Sequence, residues 1–395
     1  MTADRDQGQP APSARSADTA DRKVVLFSGG SACRTINIAL CKQPAKLTRI
    51  VPAWDSGGSS KALRETFDML PVGDIRQALM TMAHGEGRAG EVVKICNARL
   101  SDELDAGSLR AEFDYFAGGA HPLLQSMPIE VRDAMLGYLG LFRSSLPADF
   151  DFRNGSIGNF VLTGAYLAHG RAINRAIAVF RNLCGIEGDV WPASVQEDVQ
   201  LSATLRNGKR LSRQHLVTRL DGEDAKAGIA QIELTAGAGH ARVTANSIIS
   251  NAVAQAQIIV LGPGSFYTSI LPHLLVEGVG WAIGANSEAP KVFIGNILEC
   301  AETRGATVAS LAETLIREMK ARSGGKAKLT HILANRELFP FEKTVGKFAY
   351  LKHGALGQLC RAEGIQLVEG DFEDAWTRGQ HDGEAVALAL LDIVG

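Results

Sequence analysis

The sequence predicts an α/β fold built on a mainly parallel sheet covered by helices on both faces. Three observations predict it. Strand-length runs at Val24–Phe27, Leu47–Val51, Gln257–Leu261 and Lys291–Ile294 lack the alternation of a half-exposed sheet, as strands buried on both sides do. Segments with helical spacing separate most of the strands. Glycine-rich turns follow strands at Ser28-Gly29-Gly30-Ser31, Asp55-Ser56-Gly57-Gly58-Ser59-Ser60 and Gly262-Pro263-Gly264-Ser265. In a parallel sheet these turns gather at the carboxyl edge, where open α/β sheets bind ligands.

Residues 1–22 are polar, rich in Ala, Asp, Gln, Pro and Ser, and read as a disordered tail without the apolar core of a signal peptide. Residues 23–395 read as a single α/β domain. Strand Lys23–Phe27, a helix from Ala32 to Cys41 and strand Leu47–Val51 form its first βαβ unit. A helix starts at Ser59 or Ser60, either of which can cap it. Pro71-Val72-Gly73-Asp74-Ile75-Arg76 breaks that helix and starts another, with Asp74 where a carboxylate favours a helix N-terminus. Residues of about 91–150 carry only helical periodicity, as in Leu104, Leu109, Phe113 and Phe116, and read as a helical insertion over the sheet edge. Asn154–Asn159 opens a long apolar helix reaching Leu183, with Arg171 and Arg175 spaced i, i+4.

Residues of about 199–244 differ. Val199–Leu205 and Ile229–Leu234 alternate, and Asn207-Gly208 is a hairpin signal, so this stretch reads as a small antiparallel patch. A helix follows from Phe266 to Leu275. Strand Lys291–Ile294, helix Thr307–Lys320, strand Leu329–Ala334, helix Leu356–Arg361, strand Ile365–Val368 and helix Glu384–Val394 complete the alternation.

Composition narrows the function. A net charge of −2 gives no electrostatic argument for nucleic acid or an anionic membrane as partner. No run of 18 apolar residues offers a transmembrane span. The six cysteines show no paired spacing and read as reduced thiols of a cytoplasmic protein. There is no HExxH, no Cys/His grouping with zinc spacing and no G-x-S-x-G elbow.

The turns bring chemistry with them, each with a plainer reading beside it. Gly29 and Gly30 let a phosphate approach the backbone, or simply make a tight βα turn. Asp55 is a helix cap, or a metal ligand or general base in the crevice. Asp74 and Arg76 clamp a phosphate, or form a local ion pair. Gly264, Ser265, Tyr267 and Thr268 present amides and hydroxyls at a helix start, as a phosphate cradle or a rigid capped turn. Trp54 stacks on a ring or fills the core. Cys33 is a buried thiol, or one activated by the helix start.

Five segments occur together in order: Ser28-Gly29-Gly30-Ser31, Asp55–Ser60, Leu70–Arg76, Ser156-Ile157-Gly158-Asn159-Phe160 and Gly262–Ile270. As a set, spanning Lys23 to at least Asn296, they resemble the CofD/YvcK superfamily, whose members include 2-phospho-L-lactate transferases and YvcK-type gluconeogenesis factors. The resemblance implies a Rossmann-like three-layer sandwich. It also implies a bound nucleotide or nucleotide-diphospho ligand, a magnesium ion and a homodimer. For the transferases it implies movement of a phospholactyl group from a guanosine diphospho-donor to an alcohol. For the YvcK type it implies nucleotide-sugar binding in carbon and cell-wall metabolism.

Carried onto this chain, the expected catalytic residues are Asp55, Asp74 and Arg76, with Asp55 on the metal. The expected nucleotide- and phosphate-binding residues are Gly29, Gly30, Ser31, Gly57, Gly58, Ser59, Gly158, Asn159, Gly264, Ser265, Tyr267, Thr268 and Asn296. The chain departs from the family pattern at Ser56, where a second aspartate is usual. It also departs at Ala32-Cys33 and at Gln77.

Overall fold

The computed structural model describes residues 22–30, 33–87, 90–237, 241–336 and 344–395, and for residues 58 and 59 the backbone alone. Twelve strands run through the described residues. They are β1 (Arg22–Phe27), β2 (Ala45–Val51), β3 (Asp189–Pro192), β4 (Gln200–Leu205), β5 (Arg210–Leu211), β6 (Ile229–Thr235), β7 (Ile258–Leu261), β8 (Lys291–Ile294), β9 (His331–Asn335), β10 (Thr344–Val345), β11 (Phe348–Ala349) and β12 (Gln366–Gly370).

Seven of them form one sheet in the order β12-β9-β8-β7-β1-β2-β3. Every neighbouring pair in it is parallel. Burial on both faces explains the sequence pattern, since all four residues of β7 and of β8 are buried. The chain runs outward from β1 to β2 and β3, then returns to the far side of β1 at β7. Right-handed crossovers therefore put the helices of the two halves on opposite faces. Helix Arg34–Lys42 packs against helices Gly73–Gly85 and Gly383–Asp392. Helix Val279–Ala285 packs against Ser247–Ala254 and Val308–Arg322. The α/β sandwich, the helical insertion and the antiparallel patch are all present as expected.

The insertion between β2 and β3 has an aromatic centre. Phe142 stacks on Phe160 at 4.7 Å, and Phe113 on Phe152 at 4.8 Å. The antiparallel patch is the sheet β5-β4-β6.

Two helices differ from the sequence reading. The long helix to Leu183 is two helices, Ile157–Ala168 and Ile173–Leu183. Gly170 and Arg171 break it in the left-handed region, at φ +61° and +65°. Arg171 therefore does not share a helix face with Arg175, and its guanidinium bonds the carbonyls of Phe67 and Asp68. The segment from Phe266 to Leu275 is likewise divided, into a π-helical turn Phe266–Ile270 and a short helix starting at Pro272. Proline cannot donate the amide hydrogen bond an uninterrupted helix needs there.

Candidate functional site

The strand order reverses between β1 and β7, so their carboxyl ends open a crevice at the topological switch point. The turns at Ser28–Gly30 and Gly262–Ser265 leave these two strands, and Ala53–Gly57 leaves β2 beside them. Glycine is needed here for close approach. A Cβ on Gly30 would lie 2.4 Å from Asp74 Oδ1, and one on Gly73 would lie 2.6 Å from Ser60 Oγ. Ser31 lies outside the described residues.

The crevice leads into a cleft of about 460 Å³ lined by Asp55, Gly57, Ser60, Gly73, Asp74, Arg76, Arg99, His215 and Arg219, among others. Asp55 Oδ1 accepts the Gly57 amide at 3.1 Å, while Gly57 itself is the N-cap of helix Gly58–Phe67. Its carbonyl accepts from Arg64 Nη1 at 2.7 Å. Asp55 thus braces the turn with one oxygen, leaving Oδ2 toward Gly73. Burial pushes its pKa up.

Asp74 stands in the first turn of helix Gly73–Gly85. Burial, and then the Asp55 charge, push its pKa up to about 7, against the pull of Arg49, the Gly30 backbone and Arg76. The chain therefore has a pair of interacting carboxylates, although they stand nineteen residues apart rather than side by side. Arg76 does not pair locally with Asp74 through a hydrogen bond. Its Nε donates to Asn159 Oδ1 at 3.2 Å and its Nη1 to Asn97 Oδ1 at 2.9 Å. Burial lowers its pKa to about 10, with Arg99 acting in the same direction, so it remains a cation at neutral pH.

The second turn is differently occupied. Gly264, at φ +149°, donates its amide to Asn296 Oδ1 at 3.0 Å, and Asn296 Nδ2 donates to the Gly264 carbonyl at 2.7 Å. The Tyr267 and Thr268 amides donate to Glu302 Oε2 at 3.0 and 3.2 Å, and Thr268 Oγ1 donates to Glu302 Oε1 at 2.5 Å. A buried carboxylate of the chain itself sits where the sequence suggested a phosphate. Ser265 also hydrogen-bonds Glu302, whose burial pushes its pKa up to about 7.

The structure thus brings Asp55, Gly57, Gly73, Asp74 and Arg76 to one cleft, with Gly158 and Asn159 behind Arg76. Gly29 and Gly30 form the adjoining turn, and a Cβ on Gly29 would meet Ser269 at 3.0 Å. Gly58 and Ser59 begin the helix after Asp55. Gly264, Ser265, Thr268 and Asn296 form a separate self-bonded turn across the crevice. Trp54 and Cys33 are core residues. The indole donates to the Thr268 carbonyl at 2.8 Å, and burial pushes the Cys33 thiol up to about 11.

Other residues of the site carry no sequence signal. Arg49, in the middle of β2, is fully buried and donates from Nη2 to Ser28 Oγ and the Gly29 carbonyl, supporting the first turn from below. His215, on a short helix after the antiparallel hairpin, accepts or donates at Nδ1 to Ser56 Oγ at 2.9 Å. The departure at Ser56 thus ties the turn after β2 to the short helix Gln214–Val217.

The cleft suits an anionic ligand, since Arg76, Arg99 and Arg219 line it. It also meets the requirement of magnesium, which binds through one or two carboxylates and completes its shell with water and phosphate oxygens. Asp55 has an oxygen to offer such an ion. Among the described residues, no group of three or more His, Cys, Asp or Glu gathers as a metal cage. Nor is any helix there long and apolar enough to cross a membrane.

Comparison with known proteins places the chain in a family and agrees with its fold. The family described as 2-phospho-L-lactate transferase CofD matches residues 24–372. A Listeria monocytogenes protein named gluconeogenesis factor is 28% identical over 374 residues, covering 93% of this chain and 94% of its own. A Nostoc sp. relative is 28% identical over 382 residues, covering 94% of this chain and 69% of its own. A crystal structure of a UPF0052 family member from Bacillus halodurans superposes with a TM-score of 0.67 at 23% identity. It covers 94% of this chain and all of that one.

Proposed function

This chain belongs to the CofD family, and we propose that it binds a nucleotide-linked diphosphate in the Asp55–Asp74 cleft and transfers a phospho-group from it to an acceptor hydroxyl. The observation that carries this reading is that two interacting carboxylates, Asp55 and Asp74, line one cleft together with Arg76, Arg99 and Arg219. Phosphoryl transfer needs positioning and charge neutralisation more than covalent help, and this arrangement offers both.

In this reading Asp55 holds a magnesium ion, which supplies charge neutralisation at the diphosphate. Arg76, fixed by Asn97 and Asn159, binds the phosphate under transfer. Gly29 and Gly30 let it approach the sheet edge. Asp74, with its pKa near neutrality, takes the proton of the acceptor hydroxyl. The acceptor oxygen forms a new P–O bond as the bond to the leaving nucleoside monophosphate breaks. The protein works in the cytoplasm as a homodimer on a small nucleotide-linked substrate. Its six free cysteines are in keeping with a reducing compartment.

Ser56 favours a second reading, because the chain keeps one carboxylate where the family usually has two adjacent ones. On it, the protein binds a nucleotide sugar without turnover and regulates carbon or cell-wall metabolism. The relatives named gluconeogenesis factor lean the same way.

Calorimetric titration with GTP, GDP, UDP-sugars and dinucleotides, with and without magnesium, separates the two. The transferase reading expects magnesium-dependent binding and release of a nucleoside monophosphate, with turnover lost in Asp55→Asn while the fold is kept. Magnesium-independent binding without turnover establishes the regulator instead. No binding by any nucleotide overturns both.

A further inference from the structure

Tyr267 leads to a second cleft. Its amide belongs to the switch-point edge, but its side chain lines a separate cavity of about 420 Å³. This cavity shares no lining residue with the Asp55 cleft. It lies between the antiparallel sheet, the segment Phe266–Leu275 and helix Val308–Arg322. Ile229, Ile232 and Leu271 are buried in its wall, and the half-buried Leu275 gives it an apolar edge beside a mainly polar lining.

Its charge is one-sided. Arg206, Arg317 and Arg322 line it with Glu318 as the only acid. Glu318 lies 3.7 Å from Arg317 and 3.5 Å from Arg322, so one carboxylate is shared between two guanidiniums. The Arg206 backbone amide donates to the Gly228 carbonyl at 3.0 Å, while its guanidinium has no hydrogen-bond or ion-pair partner among the described residues. Arg206, Arg317 and Tyr267 line this one cavity, and both guanidiniums oppose the upward push of burial on the Tyr267 hydroxyl. Guanidinium and hydroxyl donors in one cavity are the groups that bind the oxygens of a phosphate. The apolar edge beside them accommodates the body of an organic ester.

The geometry points to a second ligand site here, formed by Arg206, Arg317 and Tyr267, for an organic phosphate monoester with an apolar moiety. It is independent of the first cleft and of the reaction proposed there.

The test uses the full chain and phenyl phosphate as probe, with inorganic phosphate and phenol as its two halves, followed by calorimetry or ligand-observed NMR. Phenyl phosphate is expected to bind saturably and more tightly than either half. Arg206→Ala and Arg317→Ala are each expected to weaken it roughly tenfold, the loss of one charge-assisted hydrogen bond. Both side chains are exposed, so circular dichroism should show the fold unchanged. Arg76→Ala, in the other cleft, should leave the affinity as it was. Binding that survives both exposed-arginine changes overturns the site, as does binding abolished by Arg76→Ala. So does the absence of saturable binding to the unaltered chain.

Discussion

Arg76 Nε donates to Asn159 Oδ1 at 3.2 Å, and this bond joins the starts of two helices at the floor of the cleft. Asn97, at the end of helix Glu91–Asn97, holds the same guanidinium at Nη1. Three helices thus fix one buried cation. All three lie between β2 and β3, so this helical layer positions a side chain of the site as well as covering the sheet.

Asn159→Ala should therefore weaken both the fold and ligand binding. It leaves a buried, charged N–H without its acceptor, at a cost of about 1.5–3 kcal/mol. Arg76→Lys should not restore the geometry, because an ammonium cannot span two acceptors as the planar guanidinium does. Urea denaturation and nucleotide titration measure the two effects. Wild-type affinity in Asn159→Ala would show that Arg76 is held by other means.

Asp74 makes a prediction with a definite sign. Its pKa is raised in the folded protein from 3.8 to about 7. The folded state therefore binds more protons than the unfolded state between those values, and stability falls as pH rises through that window. Asp74→Asn should flatten this slope. At pH 8 it should be more stable than the wild type by about 2 kcal/mol, after discounting the full shift for partial solvent access. Turnover should be lost in the same variant. Equal slopes in urea melts of the two proteins between pH 4 and 8 would rule out Asp74 as the source.

Much of this was legible in the sequence, for physical reasons that also mark the limit. β7 and β8 are buried on both faces, so their apolar runs announced them. β3 has only four residues and ends in Pro192, too short for any periodicity. Asp55, Asp74 and Arg76 are legible because each stands where a glycine turn or a helix begins. Arg49 was missed because a charge inside a strand looks like a surface position, and only the sheet order shows it enclosed. Glu302 lies in the loop after β8, and its bonds to Tyr267 and Thr268 arise from tertiary contact alone. The same amides looked like a phosphate cradle because a helix start attracts any anion, including one from the chain itself.

Glu302 supplies the next test. Glu302→Ala removes the acceptor of two amides and of the Thr268 and Ser265 hydroxyls, and should destabilise the protein by about 2–3 kcal/mol. Glu302→Gln keeps one acceptor oxygen and should cost less. Because the vacated position is an anion site, added formate should restore part of the melting temperature of Glu302→Ala and do nothing for Glu302→Gln. Absence of any formate effect would mean that the turn collapses once the carboxylate is gone.

Gly158 offers a sharper probe of the Arg76 clamp than removal of a hydrogen bond. A Cβ there would lie 2.5 Å from the Cys96 carbonyl and 2.9 Å from Arg76 Cδ. The carbonyl belongs to the backbone of a packed helix and cannot move cheaply. Gly158→Ala must therefore push helix Ile157–Ala168 away from helix Glu91–Asn97, or displace Arg76. Helix propensity alone favours alanine by about 1 kcal/mol. A net loss of stability together with weaker nucleotide binding is thus the signature of steric contact at the clamp. If the variant instead proves more stable and binds nucleotide unchanged, Arg76 does not depend on the close approach that Gly158 permits.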